Sequence, residues 1–234
     1  MIATERFVYL HLHKSGGTFI NRFLLELLPS AQRIGYHLPR SEIPPALRSL
    51  PVLGTVRNPW EYYVSWYAFQ AAMETPNALF SLVSKQGTLG FPDTLRNLLT
   101  LPQDRLRLDE LASRLPETFP GRGLNLTRAC LRPWAGSALG FYSFLYQRMF
   151  VPGGVDVLVR TTEIRLALPA VLEDLGVAVT PAMRNYLALA PALNPSRHAP
   201  YQEYYDTSAE SLVAEHDAEL IARHGFRFAG VENA

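Results

Sequence analysis

The sequence predicts an α/β protein, a parallel β-sheet flanked by helices, in a single domain over residues 1–234. Three observations predict it. Short apolar, β-branched runs ("FVYLHLH", "PVLGTV", "VDVLV") alternate with amphipathic helical stretches, an order that yields parallel strands joined by right-handed crossovers. A hydrophobic content of 48% is enough to bury a large core. The first run passes straight into a helix through Lys-Ser-Gly-Gly-Thr, and strand-to-helix junctions border the ligand crevice of such sheets.

Taken in order, the first strand is expected over residues 6–13 and the first helix over 17–28. A short second strand follows at 32–36. "SEIPPALRSL" reads as a short helix with Ser41 as its N-cap. "PVLGTVR" is a buried strand, since parallel sheets covered on both faces need continuous apolar runs. "NPWEYYVSWYAFQAAM" is a helix with Pro59 in its first turn, where a missing N–H does no harm. Residues 77–150 carry helical periodicity broken by Pro and Gly, clearest in "LDELASRL" and "ALGFYSFLYQRMF". "VDVLVR" is a strand, and "TEIRLALPAVLEDLG" a helix that Gly176 ends. "TPAMRNYLAL" is a short helix, and "APALNPSRHAPYQEYY" a Pro-rich connection. "SAESLVAEHDAELIARHG" is one long helix capped by Thr207 or Ser208.

A net charge of +1 argues against a nucleic-acid partner, which calls for a basic excess. The one cysteine, Cys130, forms no intrachain disulfide and reads as a buried small apolar residue. No apolar run is long enough to span a membrane, and "MIATERFVYL" lacks a signal-peptide layout, so the cytoplasm is expected. No His/Cys spacing suggests a zinc site, and no bound metal is expected.

Ser15, Gly16, Gly17 and Thr18 place backbone N–H groups at a helix N-terminus, where the dipole and the unpaired donors favour an anion. Lys14 reaches the same anion as a point charge. The alternative is a tight turn that needs glycine and binds nothing. In a Walker A loop the Lys follows the glycines; here it precedes them, which disfavours an ordinary NTPase or kinase. Arg57 stands at the end of a buried strand, with Ser65 eight residues on in the next helix. A guanidinium fork and a hydroxyl suit a second phosphate, although a salt-bridged or capping arginine is the simpler role.

Together "HLHKSGGT" and "RNPWEYYVSWY" resemble the nucleotide signature of the sulfotransferases that use 3′-phosphoadenosine 5′-phosphosulfate (PAPS), written HxPKxGGT and RDPxxRxxSxY. The likeness is nearest the carbohydrate and bacterial branch. His13 stands in place of Pro, Asn58 of Asp and Tyr62 of Arg. "VDVLVRTTE" and "LNPSRHAPYQEYYD" with "HGFRF" resemble later family segments more weakly. The resemblance implies a P-loop-NTPase-like sulfotransferase fold in which residues 77–136 form a helical insertion on the acceptor side. It implies PAPS as co-substrate, with no metal, and a hydroxyl-bearing acceptor: a small molecule, a lipid or polyketide, or a carbohydrate. The loop amides of Gly16, Gly17 and Thr18, beside Ser15, would hold the 5′-phosphate, Arg57 and Ser65 the 3′-phosphate, and Arg197 the same phosphate from a C-terminal loop. Lys14 would stabilise the leaving oxygen in an in-line displacement.

The acceptor also needs a base. His37 in "RIGYHLPR" is similar to a family "GH" histidine and is the first choice, with His11 in reserve; a surface or capping histidine is the plainer alternative. Of His11 and His13, one is expected to line the crevice and the other to enter the core. Most of the aromatics from Trp60 to Phe69 are expected to be core. Two further functions stay open: an ATP–Mg²⁺-dependent kinase on the same fold, and a nucleotide-binding protein without catalysis.

Overall fold

A computed structural model of the chain describes residues 1–191 and 198–228. Five strands form one sheet: β1 (Ile2–Ala3), β2 (Val8–Leu10), β3 (Gln32–Arg33), β4 (Val52–Val56) and β5 (Val157–Arg160), in the order β3-β1-β2-β4-β5. β2, β4 and β5 are parallel, with Tyr9 opposite Leu53 and Leu53 opposite Val157. β1 runs antiparallel to both β2 and β3, so the parallel sheet carries an antiparallel edge. The helices are α1 (Gly17–Leu27), α2 (Pro59–Ala71), α3 (Ala78–Val83), α4 (Phe91–Thr100), α5 (Arg105–Ser113), α6 (Arg128–Leu131), α7 (Phe141–Phe150), α8 (Ile164–Asp174), α9 (Pro181–Leu189), α10 (Thr207–His216) and α11 (Ala218–His224).

Four expectations change. β2 is shorter than 6–13, because its last paired residue is Leu10, opposite Gly54, and the chain then turns. The strand over 32–36 shrinks to two exposed residues. Residues 41–50 form two 3₁₀ turns, Arg40–Glu42 and Pro45–Leu47, instead of a helix with Ser41 as cap. Pro44 and Pro45 explain this, since the residue before a proline avoids the α region and proline offers no N–H. The C-terminal helix is two helices that meet at Asp217, and its cap is Asp206, whose Oδ1 accepts from the Ala209 N–H at 2.7 Å, not Thr207 or Ser208.

The chain forms two compact units. The first comprises Met1–Arg57, Pro120–Leu124 and Tyr146–Pro195 and contains the sheet. Its core sets Phe19, Ile20, Phe23 and Leu24 of α1, Ile164, Leu168 and Leu172 of α8, and Met183 and Leu187 of α9 against Tyr9, Leu53 and Val159 of the sheet. These are the apolar stripes that helical spacing marks on each segment. A Cβ on Gly54 would lie 2.8 Å from the Phe150 ring, so glycine in β4 is what lets the end of α7 pack closely on the strand.

The second unit comprises Asn58–Phe119, Asn125–Leu145 and Ser196–Ala234 and is helical. Asn58 caps α2 by accepting from the Trp60 N–H at 3.1 Å. Trp60, Tyr62, Tyr63 and Trp66 are buried, the core role expected of most of that aromatic run, and Tyr62 stacks on Tyr142 with ring centroids 3.9 Å apart. Cys130 is buried, as expected. Among the described residues no helix is long and apolar enough to cross a membrane.

Asp217 is completely buried in this unit. It accepts from the Tyr63 hydroxyl at 2.7 Å and from the Ser143 N–H at 2.9 Å. Burial raises its carboxyl above the ordinary value, against the opposing pull of Ser143, Tyr63 and His216. A carboxyl raised on folding contributes most below its unfolded pKa, and that contribution is lost as pH climbs through the folded value. Asp217→Ala strands two buried donors and is expected to cost about 2–4 kcal/mol in mildly acidic solution. Urea unfolding should show the gap to wild type narrowing as pH rises above the ordinary carboxyl range, through the raised value of Asp217.

Candidate functional site

The junction of β2 and α1 follows from its glycines. Gly16 caps α1 at φ 77° and Lys14 sits at φ 54°, so two left-handed residues flank Ser15. Such alternation turns successive N–H groups toward one concavity, an anion-binding shape. Gly17 is glycine for a packing reason as well: a Cβ there would fall inside the His11 ring. A Cβ on Gly16 would lie 2.5 Å from Ile164 Cδ1. The N–H groups of Gly17 and Thr18 stand in the first helical turn, where no acceptor precedes them within the helix. The Ser15 hydroxyl donates to the His13 carbonyl at 3.1 Å, and Ser15 is buried; Thr18 is exposed.

Arg57 leaves the C-terminal end of β4 and donates from Nη1 to the Lys14 carbonyl at 3.0 Å. This bond fixes a second cation beside the loop. Burial, and then the positive charge of Arg57, bring the Lys14 ammonium down from 10.5 to about 8. Two cations held together at a helix N-terminus repel each other, and an anion relieves that repulsion. Ser65 belongs to the second unit, on α2, and is 1% exposed. Arg57 is half-buried. Arg197 lies outside the described residues.

His37 is held at three points. Its Nδ1 donates to the His11 carbonyl at 2.8 Å. Its own carbonyl accepts from the Leu124 N–H at 2.9 Å, while the neighbouring Tyr36 carbonyl accepts from the Gly123 N–H at 3.0 Å. The residue adopts φ 49°, a left-handed conformation that these bonds enforce. Gly123 permits the approach, since a Cβ there would lie 2.5 Å from the His37 carbonyl oxygen. Because Nδ1 carries the proton in its bond to a carbonyl, Nε2 holds the free lone pair. Burial, the largest cause, lowers the imidazole to about 4, so it is neutral near pH 7.

His11 and His13 do not separate to crevice and core as expected. Both rings pack on His37, with centroids 4.4 Å and 3.5 Å away. The strand pairing ends at Leu10, and both histidines lie in the turn that follows. His11 is buried, and its Nδ1 accepts from the Asn21 side-chain amide at 3.0 Å. That leaves its proton on Nε2, and burial keeps the ring neutral. Sequence reasoning gave no role to Asn21 or to the tie from residues 120–124. Asn21 was detectable as a polar residue within the apolar stripe of α1; the tie required the fold.

No protein-family model and no curated protein matches the sequence. Among solved structures, the chain is similar to the mouse sulfotransferase SULT7A1 complexed with PAP, at 12% identity and a TM-score of 0.52, over 95% of this chain and 89% of that one. It is also similar to a sulfotransferase from Alicyclobacillus acidocaldarius, at 13% identity and a TM-score of 0.43, over 97% and 98% of the two chains. The first likeness shows that the chain has the sulfotransferase fold.

Gly17→Ala should displace His11 and lower stability by about 1–3 kcal/mol. Gly90→Ala, whose Cβ would meet only Pro92 Cδ at 4.0 Å, should change stability by no more than about 0.5 kcal/mol. Thermal unfolding of the two variants checks the pair.

Proposed function

We propose that this sulfotransferase-fold protein transfers a sulfuryl group from PAPS to an acceptor hydroxyl. The observation that carries the proposal is the loop at the start of α1, whose amides and Lys14 stand at a helix N-terminus, with Arg57 tied beside it by the 3.0 Å bond to the Lys14 carbonyl. PAPS supplies an activated sulfuryl group with a phosphate as leaving group. The amides of Gly16, Gly17 and Thr18, beside Ser15, hold the 5′-phosphate. Lys14 neutralises the charge that grows on the leaving oxygen as the sulfur–oxygen bond breaks. Arg57, with Ser65, distinguishes a 3′-phosphorylated nucleotide from AMP. His37 takes the acceptor's hydroxyl proton at Nε2 as the new oxygen–sulfur bond forms, and its Nδ1 bond to the His11 carbonyl aims the ring. His11, with Nδ1 occupied by Asn21, is the weaker candidate for base. The helical segment over residues 77–136 shapes the acceptor side. A soluble, cytoplasmic setting fits this chemistry. Positioning and charge, not covalent catalysis, carry such a displacement.

Adenosine 3′,5′-bisphosphate should raise the melting temperature, and AMP much less. Arg57→Ala should weaken the bisphosphate by about 1.5–3 kcal/mol, roughly ten- to hundredfold, and leave AMP nearly unchanged. Calorimetric titration reads both; equal affinities for the two nucleotides in the wild type would remove the role of Arg57.

The pH dependence of kcat/KM follows from the free enzyme's groups. His37 must be unprotonated and Lys14 protonated. Activity should therefore fall below about pH 4 and above about pH 8, following the two shifted values. Lys14→Ala should lower kcat about 10²–10³-fold with little change in unfolding. A labelled-donor assay across pH tests both statements.

A further inference from the structure

We propose that His13 is a positioning residue: its ring, stacked face to face on His37 at 3.5 Å and 13°, is a plate that excludes water from the base and holds its plane. The inference rests on the reading of His37 as the base. The family motif that this segment resembles carries proline at this place, so the stack belongs to this chain's own chemistry.

Three features support a positioning role over a proton-accepting one. The His13 Nδ1 is shielded from solvent and has no hydrogen-bond partner among the described residues. That nitrogen has no group among the described residues with which to exchange a proton. The rings lie nearly parallel, which presents face to face and keeps the nitrogen lone pairs of the two rings, which lie in the ring planes, from pointing at each other. The His37 proton is already committed, since Nδ1 donates to the His11 carbonyl. What His13 adds is cover. Two neutral stacked rings are compatible, whereas protonating both places like charges at van der Waals distance.

The charged and titratable groups around His37 are few. His11 faces it with both carbonyl and ring, and His13 with its face. The Arg122 guanidinium and the Met1 amino group act on it by charge. The Tyr36 ring lies 6.5 Å away. All but the two histidine rings and Tyr36 are positive or backbone, and among these neighbours no carboxylate offsets them. Removing the plate lets water reach the imidazole and ease its protonation; replacing it with another flat ring does not.

The experiment is a histidine titration by NMR of the full chain, free of nucleotide, in the wild type, His13→Phe and His13→Ala. In the wild type the His37 ring nitrogens should report Nδ1–H with Nε2 unprotonated, and a midpoint near 4. The phenylalanine variant should keep tautomer and midpoint. The alanine variant should move the midpoint up by about one unit or more, toward the ordinary value of 6.5, and the acid limb of kcat/KM should move with it. An Nε2–H tautomer in the wild type would overturn the proposal without any variant, so a misfolded alanine variant leaves it testable. An unshifted midpoint in His13→Ala, or one that moves equally in His13→Phe, would also overturn it. Binding of adenosine 3′,5′-bisphosphate, measured on the same samples, separates this outcome from failure of the donor assignment: a wild type that does not bind it loses the proposed reaction, while the titration still decides what His13 does to His37.

Discussion

The first turn of α1 presses against the His11 ring with only the hydrogen of Gly17 between them. Most of the site depends on that contact. It brings the helix N-terminus down onto the end of β2, which sets the loop from His13 to Gly16 in alternating left-handed turns and leaves its amides turned to one side. It also fixes His11, whose carbonyl in turn receives the His37 Nδ1 proton. A larger residue at position 17 would separate helix from strand and loosen the anion loop and the histidine group together.

Burial acts in the same sense on the two kinds of titratable group gathered here, lowering lysine and histidine alike. It makes Lys14 a weaker base than a solvated lysine, and Arg57 adds to that, so the loop in its free form is short of negative charge. It keeps His11, His13 and His37 neutral, so the histidines do not compete with the lysine for an anion. Desolvation disfavours whichever form is charged. The outcome is a cationic loop next to neutral imidazoles, one suited to a phosphate and the other to a proton from a hydroxyl.

Residues 120–124 lie within the span expected to serve the acceptor side, yet they belong to the unit that holds the sheet. They pair with residues 36 and 37, through Gly121, Gly123 and Leu124, and bring Arg122 near enough to His37 for its charge to be felt. The segment that departs most from the family signature thus reaches the proposed base directly. Its remaining part folds as short helices on a core of Trp66, Phe80, Trp134 and Phe141.

The alternation of apolar β-branched runs with amphipathic stretches was enough to place β2, β4, β5 and the helices α1, α2, α8 and α9, because period and composition act locally and residues of that kind bury themselves whatever their partners. The Lys-Ser-Gly-Gly-Thr turn into α1 was legible for the same reason: a strand-to-helix junction is made by neighbours in sequence. What the sequence left open depended on residues far apart along the chain. Asp217, flanked by a continuous helical pattern, breaks α10 from α11 and turns inward to Tyr63 and Ser143, and no local signal foretold its partners. The pairing of β1 with β3, the stacking of His13 on His37 and the clasp from Gly123 are likewise long-range pairings. Local periodicity names the elements; only folding brings together side chains separated by dozens of residues, and it is there that the neutrality and aim of His37 are decided.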